Sequence, residues 1–381
     1  MRRWAGLVAS AVVVAVGQAR AADPTAKELL AKAKAVADTL TRPEEKDEKD
    51  DMMKLIVRCQ ARSGDIAGAK ANAALIQRPL VRASALSDVA RAMVRAGDVD
   101  GAENLMAPQW DAESIDLVLG GIAMGLAEKP DMEGALKTYR RMTTPTGKEA
   151  LLSVIAAMQA KAGDLKGAEE SVKSVARPDY QVIAMSMLAV ALTLQKQPVD
   201  AKRWMEMARD AQSRNQKPEH GLNYLAEAEA CMGNADAVDA LITKYAGTPS
   251  EGLVFGGVTN GYLEADRVKE AKALGEKLTD AESQFFFVTM MGVYMADSGD
   301  KKGAAEALKK AKDLYAKNGS KRTAIWGGSL AGFMCMVEGP GVAVKWLDSM
   351  APATLVQIRG YVRVATILTE PKGTATEPFG N

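Results

Sequence analysis

Residues 151–175 read LLSVIAAMQAKAGDLKGAEESVKSV, and this stretch decides the fold. Its first half sets Leu151, Ile155, Met158 and Ala162 at helical spacing, with Leu152, Ala156 and Gln159 beside them. Its second half sets Leu165, Ala168, Val172 and Val175 in the i, i+3, i+7, i+10 rhythm of one buried helical stripe. Gly163 ends the first run, since glycine takes the left-handed backbone without steric cost. Asp164 suits the cap of the second, where a carboxylate accepts from unpaired backbone N–H groups. Two helices joined by almost no loop are expected.

The same pattern recurs along the chain. The small residue five past the turn glycine is Ala69, Ala102, Ala135, Ala168, Ala201, Val238, Ala271, Ala304 and Ala343. The successive spacings are 33, 33, 33, 33, 37, 33, 33 and 39. The turns read GDIAGA (64–69), GDVDGA (97–102), PDMEGA (130–135), GDLKGA (163–168) and GDKKGA (299–304). Weaker copies are KQPVDA (196–201), GNADAV (233–238) and DRVKEA (266–271). Twelve residues before each anchor stands a second, mostly small position: Val57, Ala90, Ala123, Ala156, Ala189, Ala226, Thr259, Gly292 and Ala331. Larger apolar residues precede these, from Ile56 and Val89 to Met291 and Leu330. Small residues facing each other let two helices approach closely, and the large ones fill the gap to the next layer. A fixed period of this kind marks an array in which each unit buries its apolar face only against its neighbours.

The paired small positions and the Gly-Asp turn resemble the tetratricopeptide repeat family over roughly residues 44–350. The chain departs from that pattern in its 33-residue period, in the glycine before the anchor alanine, and in its aliphatic or Met residues at the family's aromatic positions. The resemblance implies an all-α, right-handed solenoid or superhelix of about nine hairpins. The expected organisation is a signal peptide at 1–21, a half-repeat helix at 22–43, the array at 44–351, a capping helix at 352–369 and a disordered tail at 370–381. Residues 26–40 read as a lone second helix with Ala33 in the anchor position. Proline marks unit boundaries at Pro43, Pro79, Pro108, Pro145, Pro178, Pro218, Pro249 and Pro352. The two long spacings predict extended second helices over 201–216 and 303–317.

Arg2-Arg3, an apolar stretch over 4–16 and Ala19-Arg20-Ala21 form a secretory leader pattern, with cleavage near Ala21. The protein is therefore expected to be exported, periplasmic or extracellular, with no integral membrane span in the mature chain. Three cysteines in three different hairpins (Cys59, Cys231, Cys335) stand too far apart along such an array to bridge. They are expected as small buried core residues.

The chain has 49 Lys and Arg against 48 Asp and Glu, and a balance of that kind gives no basic face for nucleic acid. A single histidine, His220, removes His-pair zinc sites and His-dependent nucleophile arrangements within one chain. The pairs Gly120-Gly121, Gly256-Gly257 and Gly327-Gly328 fall inside helical patterns without a preceding strand, so close helix packing explains them better than phosphate binding. The methionine clusters fill core gaps. No enzyme activity, cofactor, metal or catalytic set is expected.

What remains is the surface of the first helices, which in tetratricopeptide arrays lines a concave, ligand-binding groove. Carried over by register, the candidate partner-binding residues are Lys54, Arg58, Arg91, Ser153, Ser186, Asn223, Glu227 and Asn260. The expected function is an exported, non-enzymatic scaffold that binds a protein or peptide of the cell envelope or exterior. The alternative is a carbohydrate-active or sugar-binding α/α toroid. An open superhelix would support the first reading, and end hairpins meeting around a carboxylate-lined bowl would sink it in favour of the second. The register itself is testable. Ala168→Leu is expected to overpack the hairpin and cost about 1–3 kcal/mol, read by denaturant melts; an unchanged midpoint would count against the alignment.

Overall fold

The computed structural model describes residues 23–107, 109–318, 323–350 and 355–369. The expected leader (1–21), the expected tail (370–381), Pro108 and Pro352 lie outside the described residues. Twenty α-helices, numbered in chain order, make up an all-α fold, and the described residues contain no strand. The first helices of the hairpins are α2 (Lys46–Arg62), α4 (Pro79–Arg95), α6 (Ala112–Glu128), α8 (Pro145–Ala162), α10 (Pro178–Leu194), α12 (Leu222–Met232), α14 (Glu251–Glu264), α16 (Ala281–Asp297), α18 (Thr323–Glu338) and α20 (Leu355–Thr369). The second helices are α3 (Ile66–Ala73), α5 (Val99–Glu103), α7 (Met132–Arg141), α9 (Leu165–Lys173), α11 (Pro198–Arg214), α13 (Ala235–Tyr245), α15 (Val268–Glu276), α17 (Lys301–Asn318) and α19 (Pro340–Asp348). The extended second helices are α11 and α17, as the long spacings predict.

All nine anchor residues, Ala69 through Ala343, are at most 2% exposed. Gly64, Gly97, Gly163, Gly233 and Gly299 take the left-handed backbone at the turn. In the degenerate copies Lys196 and Asp266 adopt it without glycine's freedom. In the five Asp-bearing turns the aspartate caps the next helix. Asp65, Asp98, Asp131, Asp164 and Asp300 accept from the amides of Gly68, Gly101, Gly134, Gly167 and Gly303 at 2.9–3.0 Å. A β-carbon on any of these five glycines would overlap the capping carboxylate. The glycine before the anchor alanine is therefore the partner of the aspartate. The four copies without an Asp cap, the one with anchor Ala343 included, also lack that glycine. Proline marks boundaries by opening the next helix: Pro79, Pro145 and Pro178 sit in the first turn of α4, α8 and α10.

Adjacent hairpins are joined by a recurring polar tie. Asp50 accepts from the amides of Gln77 (3.0 Å) and Arg78 (2.8 Å). Asp116 does the same for Thr143 (3.0 Å) and Thr144 (2.6 Å), and Glu149 for Ala176 (2.9 Å). Each tie fixes the start of one first helix to the loop entering the next. The sequence glycines set the closest approaches. A β-carbon at Gly121 or Gly125 would run into the Ser87 or Arg91 carbonyl of α4, and one at Gly257 or Gly261 into the Asn223 or Glu227 carbonyl of α12. Gly328 and Gly332 of α18 lie against the Arg359 and Arg363 side chains of α20. Gly120 and Gly256, the other members of two of the predicted pairs, face open space instead.

The first helices pack in an unbroken series from α2 through α18 to α20, and α20 packs back on α2. No comparable packing joins one second helix to the next. The inner layer of a ring has the shorter circumference, so the first helices form the inner wall. The two half-units expected at the chain ends are one hairpin. Helix α1 (Ala26–Asp38) packs on α20 and α2, as each second helix packs between two first helices. The open superhelix expected from the resemblance is replaced by a closed ring of ten hairpins.

The seam is well packed. Leu29, Ala33 and Ala37 of α1 are 0% exposed and share one apolar cluster with Ile358, Val364 and Ala365 of α20 and with Ile56 and Val57 of α2. Lys32 pairs with Asp348 at 2.7 Å, and the Tyr361 hydroxyl donates to the same carboxylate at 2.5 Å. The Cys59 thiol of α2 lies 3.9 Å from the Val362 carbonyl and 3.4 Å from the Thr366 hydroxyl, both on α20. The double variant Leu29→Asp/Ala33→Asp is expected to release α1 and open the ring, raising the radius of gyration in small-angle scattering. A folded variant with the wild-type scattering curve would show that closure does not depend on α1.

Candidate functional site

Ring closure turns the predicted groove into an enclosed lumen. Ten helices with axes about 8–10 Å apart make a circle roughly 30 Å across, and helix bodies about 10 Å thick leave on the order of 20 Å clear when the circle is round. Read by register, the inward face of the first helices carries two columns. One is the register of Arg58, Arg91, Glu227 and Asn260; the other lies four residues on and holds Arg62, Arg95, Glu128, Lys161, Leu194, Glu264 and Asp297.

The eight sequence-predicted residues divide. Lys54, Arg58, Arg91, Asn223, Glu227 and Asn260 are part-exposed on α2, α4, α12 and α14. Ser153 and Ser186 are 2% and 0% exposed, so neither is available to a partner. Their small side chains let the neighbouring helix close over them, and the Ser153 hydroxyl donates to the Ala150 carbonyl at 2.7 Å. The basic character predicted for the N-terminal part is largely offset. Arg58 pairs with Asp88 of α4 at 3.0 Å, and Arg91 with Glu128 of α6, its Nε donating at 2.9 Å. Both acids were legible in the sequence, but they stand on the next helix round and meet the arginines only through packing.

Charge gathers in two arcs. On α12, α14 and α16 stand Glu227, Glu264 and Asp297. Burial raises the Glu227 carboxyl to about 8, the Glu264 carboxylate adds to the shift, and Lys161 opposes it. Burial likewise raises Glu264, again opposed by Lys161, and raises Asp297. Glu264 and Asp297 nonetheless keep more than a third of their surface exposed. Groups touched by solvent yet ringed by protein line a concave wall. Lys161 on α8 acts on carboxylates two and three helices further round, so the lumen is drawn in on that side. On α2 and α20 burial lowers Lys54, with Arg58 adding to the effect, and lowers Arg359. Sequence reasoning missed Lys161, Glu264 and Asp297; the column four residues beyond the predicted one was the available signal.

Cys59, Cys231 and Cys335 are free and buried, and burial pushes the Cys231 thiol up to about 12 and the Cys335 thiol up to about 11, far from reactive thiolates. His220 is bound to structure: its Nδ1 lies 3.1 Å from Asp179, which also takes two bonds from Arg177. Among the described residues no group of three His, Cys, Asp or Glu side chains is arranged to hold a metal ion. No described helix is long and apolar enough to cross a membrane. In comparison with known proteins, the chain matches no family model and no curated protein.

The lumen carboxylates make stability depend on pH with a definite sign. A carboxyl whose folded pKa lies above its ordinary value near 4.5 binds its proton more tightly folded than unfolded. Its contribution is complete below that ordinary value and is lost as pH rises toward 8. Between pH 5 and 8 the melting temperature of the wild type is therefore expected to fall relative to Glu227→Gln, by at least ~2 °C. Parallel pH profiles would remove the coupled carboxylates from the account.

Proposed function

We propose that this protein is an exported, non-enzymatic binding ring whose specific surface is the lumen, and that its partner is a protein or peptide of the cell envelope or exterior. On this reading the hairpins are tetratricopeptide-like units in a right-handed array, and the leader is removed near Ala21. The observation that carries it is the placement of charged and amide side chains on the inner wall of a closed ring. Contact between the end hairpins counts against the open scaffold expected from the sequence, and the reading proposed here is instead an enclosed site on the same first-helix surface. The partner would enter the ring or dock at its mouth, and Asn223 and Asn260 offer amides for an extended backbone.

A photo-crosslinking phenylalanine derivative at Asn260, inside the ring, is expected to give a polypeptide adduct in envelope extract that mass spectrometry identifies. The same group at Leu75, which is 53% exposed and on the outer layer, is expected to give none. Equal yields at the two positions, or none at Asn260, would overturn the lumen reading.

A second reading, a sugar-binding or carbohydrate-active toroid, is favoured by ring closure and by the neighbouring carboxylates Glu227 and Glu264. A paired acid and base on adjacent inner helices is the minimum that glycoside hydrolysis requires. Against it, Trp204 and Trp326 are 1% and 4% exposed, so half of the tryptophans beyond the leader are closed to sugar stacking. Release of reducing ends from a polysaccharide panel, abolished in Glu264→Gln, would establish this reading over the first.

A further inference from the structure

Gly256 of α14 has no packing reason. A β-carbon at Gly257 or Gly261 would strike the backbone of α12, but one at Gly256 would meet nothing within 4 Å. Glycine inside a helix destabilises it relative to alanine, so the open space above Gly256 needs another account. Helix α14 is flanked by α12 and α16 and backed by α13 and α15, which leaves the lumen as the side its accessible strip faces. That strip runs Leu253, Gly256, Asn260 and Glu264 at helical spacing. Its head is apolar. Leu253 is 43% exposed, and Ile325, at the same register of α18, is 48% exposed. Between them on α16 the part-exposed Phe286 sets its ring edge-on to Trp326, 6.0 Å between centroids. Its middle is polar: Asn223 of α12 stands level with Gly256, since its carbonyl is the group that a β-carbon on Gly257 would strike. Its foot is acidic, with Glu227 beside Glu264 where α12 and α14 touch at Gly261. Among the described residues the side chains of Asn223, Glu227, Asn260 and Glu264 have no hydrogen-bond or salt-bridge partner.

One kind of occupant fits this order of groups. A bare glycine lets a ligand backbone come close, and two unengaged amides can each donate to and accept from an extended main chain. The apolar head takes a hydrophobic side chain, and two unpartnered carboxylates take a cation. Leu253 lies about three turns, or ~16 Å, from Glu264 along the helix, a distance an extended chain covers in about five residues. We infer that the trough along α14 binds an extended basic polypeptide segment, with an apolar side chain against Leu253, Phe286 and Ile325 and a lysine or arginine at Glu227 and Glu264. The inference rests on the lumen being a polypeptide site, as proposed above. It adds the charge of the partner and the spacing of its anchors. An acidic segment would meet like charge here, and the arginines five places round the ring, Arg58 and Arg91, are already paired with Asp88 and Glu128.

The test is fluorescence anisotropy of a labelled Phe-Gly-Ser-Gly-Ser-Lys peptide titrated with the full mature chain. Saturable binding is expected, weakened at least about tenfold when the lysine of the peptide is replaced by glutamate or its phenylalanine by serine. Glu264→Lys is expected to reverse the preference, so that the glutamate peptide binds the more tightly. Gly256→Trp fills the trough and is expected to abolish binding. Gly120→Trp, at the same register of α6 and equally open, keeps it. Gly256→Ala is expected to melt above the wild type and to keep binding, because the added methyl group meets no neighbour. Should Gly256→Trp not fold, the reversal in Glu264→Lys decides the matter. No saturable binding by the wild type, equal binding of the lysine and glutamate peptides, full binding by a folded Gly256→Trp, or a lower melting temperature in Gly256→Ala would each overturn the trough. The crosslinker at Asn260 separates this inference from the reading beneath it. An adduct whose yield is unchanged by Glu264→Lys would remove the basic segment while leaving the lumen reading intact, and the absence of any adduct would remove both.

Discussion

Everything in this structure depends on the docking of α1 between α20 and α2. A helical hairpin of this type cannot bury its apolar faces alone and leans on the units before and after it. An open array therefore needs atypical ends with polar outer faces. This chain has neither: α20 brings Ile358, Val364 and Ala365 to the last interface, and α1 brings Leu29, Ala33 and Ala37 to the first. Each end is the covering the other lacks. The closing contact is formed by residues more than three hundred positions apart, Lys32 with Asp348 and Cys59 with Thr366. Formation of that contact is the longest loop closure in the molecule, so it is repaid only when the intervening hairpins are already stacked.

Local rules fix the hairpin, and these were legible. The period, the anchor alanines, the turn glycines and the Asp caps all specify one helical turn-back, and the structure keeps each of them. The glycine before the anchor was visible only as a departure from the tetratricopeptide pattern. Its meaning comes from the three-dimensional fit: the Asp164 carboxylate occupies the space that a β-carbon on Gly167 needs. Loss of both residues together in the 196–201, 233–238 and 266–271 turns is the same constraint read in reverse.

Closure was not legible, for a physical reason. Whether ten hairpins wind into an open superhelix or a ring depends on a small rotation per unit, accumulated over the chain. That rotation is set by interfaces such as Gly257 and Gly261 against the Asn223 and Glu227 carbonyls, where α12 and α14 approach to backbone contact. Register identified which residues face inward, but not how far each helix is overlapped by the next. Ser153 and Ser186 were on the right face and are still covered, while Asn223, Glu227 and Asn260 stay accessible. Ion pairs between neighbouring first helices, Arg58 with Asp88 and Arg91 with Glu128, were hidden for the same reason.

The electrostatics of the lumen are arranged against stability. Burial disfavours the charged forms of Glu227, Glu264 and Asp297 on one arc and of Lys54 on another, and the ring holds the two arcs apart instead of pairing them. A chain selected for stability alone would satisfy or replace such groups, as it does elsewhere with Asp50, Asp116 and Glu229, each fully engaged in hydrogen bonds. The closing force comes from the apolar α1–α20–α2 cluster together with the Lys32–Asp348 and Tyr361–Asp348 contacts at the seam, with the charged wall opposing it. That division separates the part of the molecule that holds the ring shut from the part left free to meet a ligand. It also gives a charged ligand leverage, because each lumen charge it neutralises removes a term that opposes the closed state.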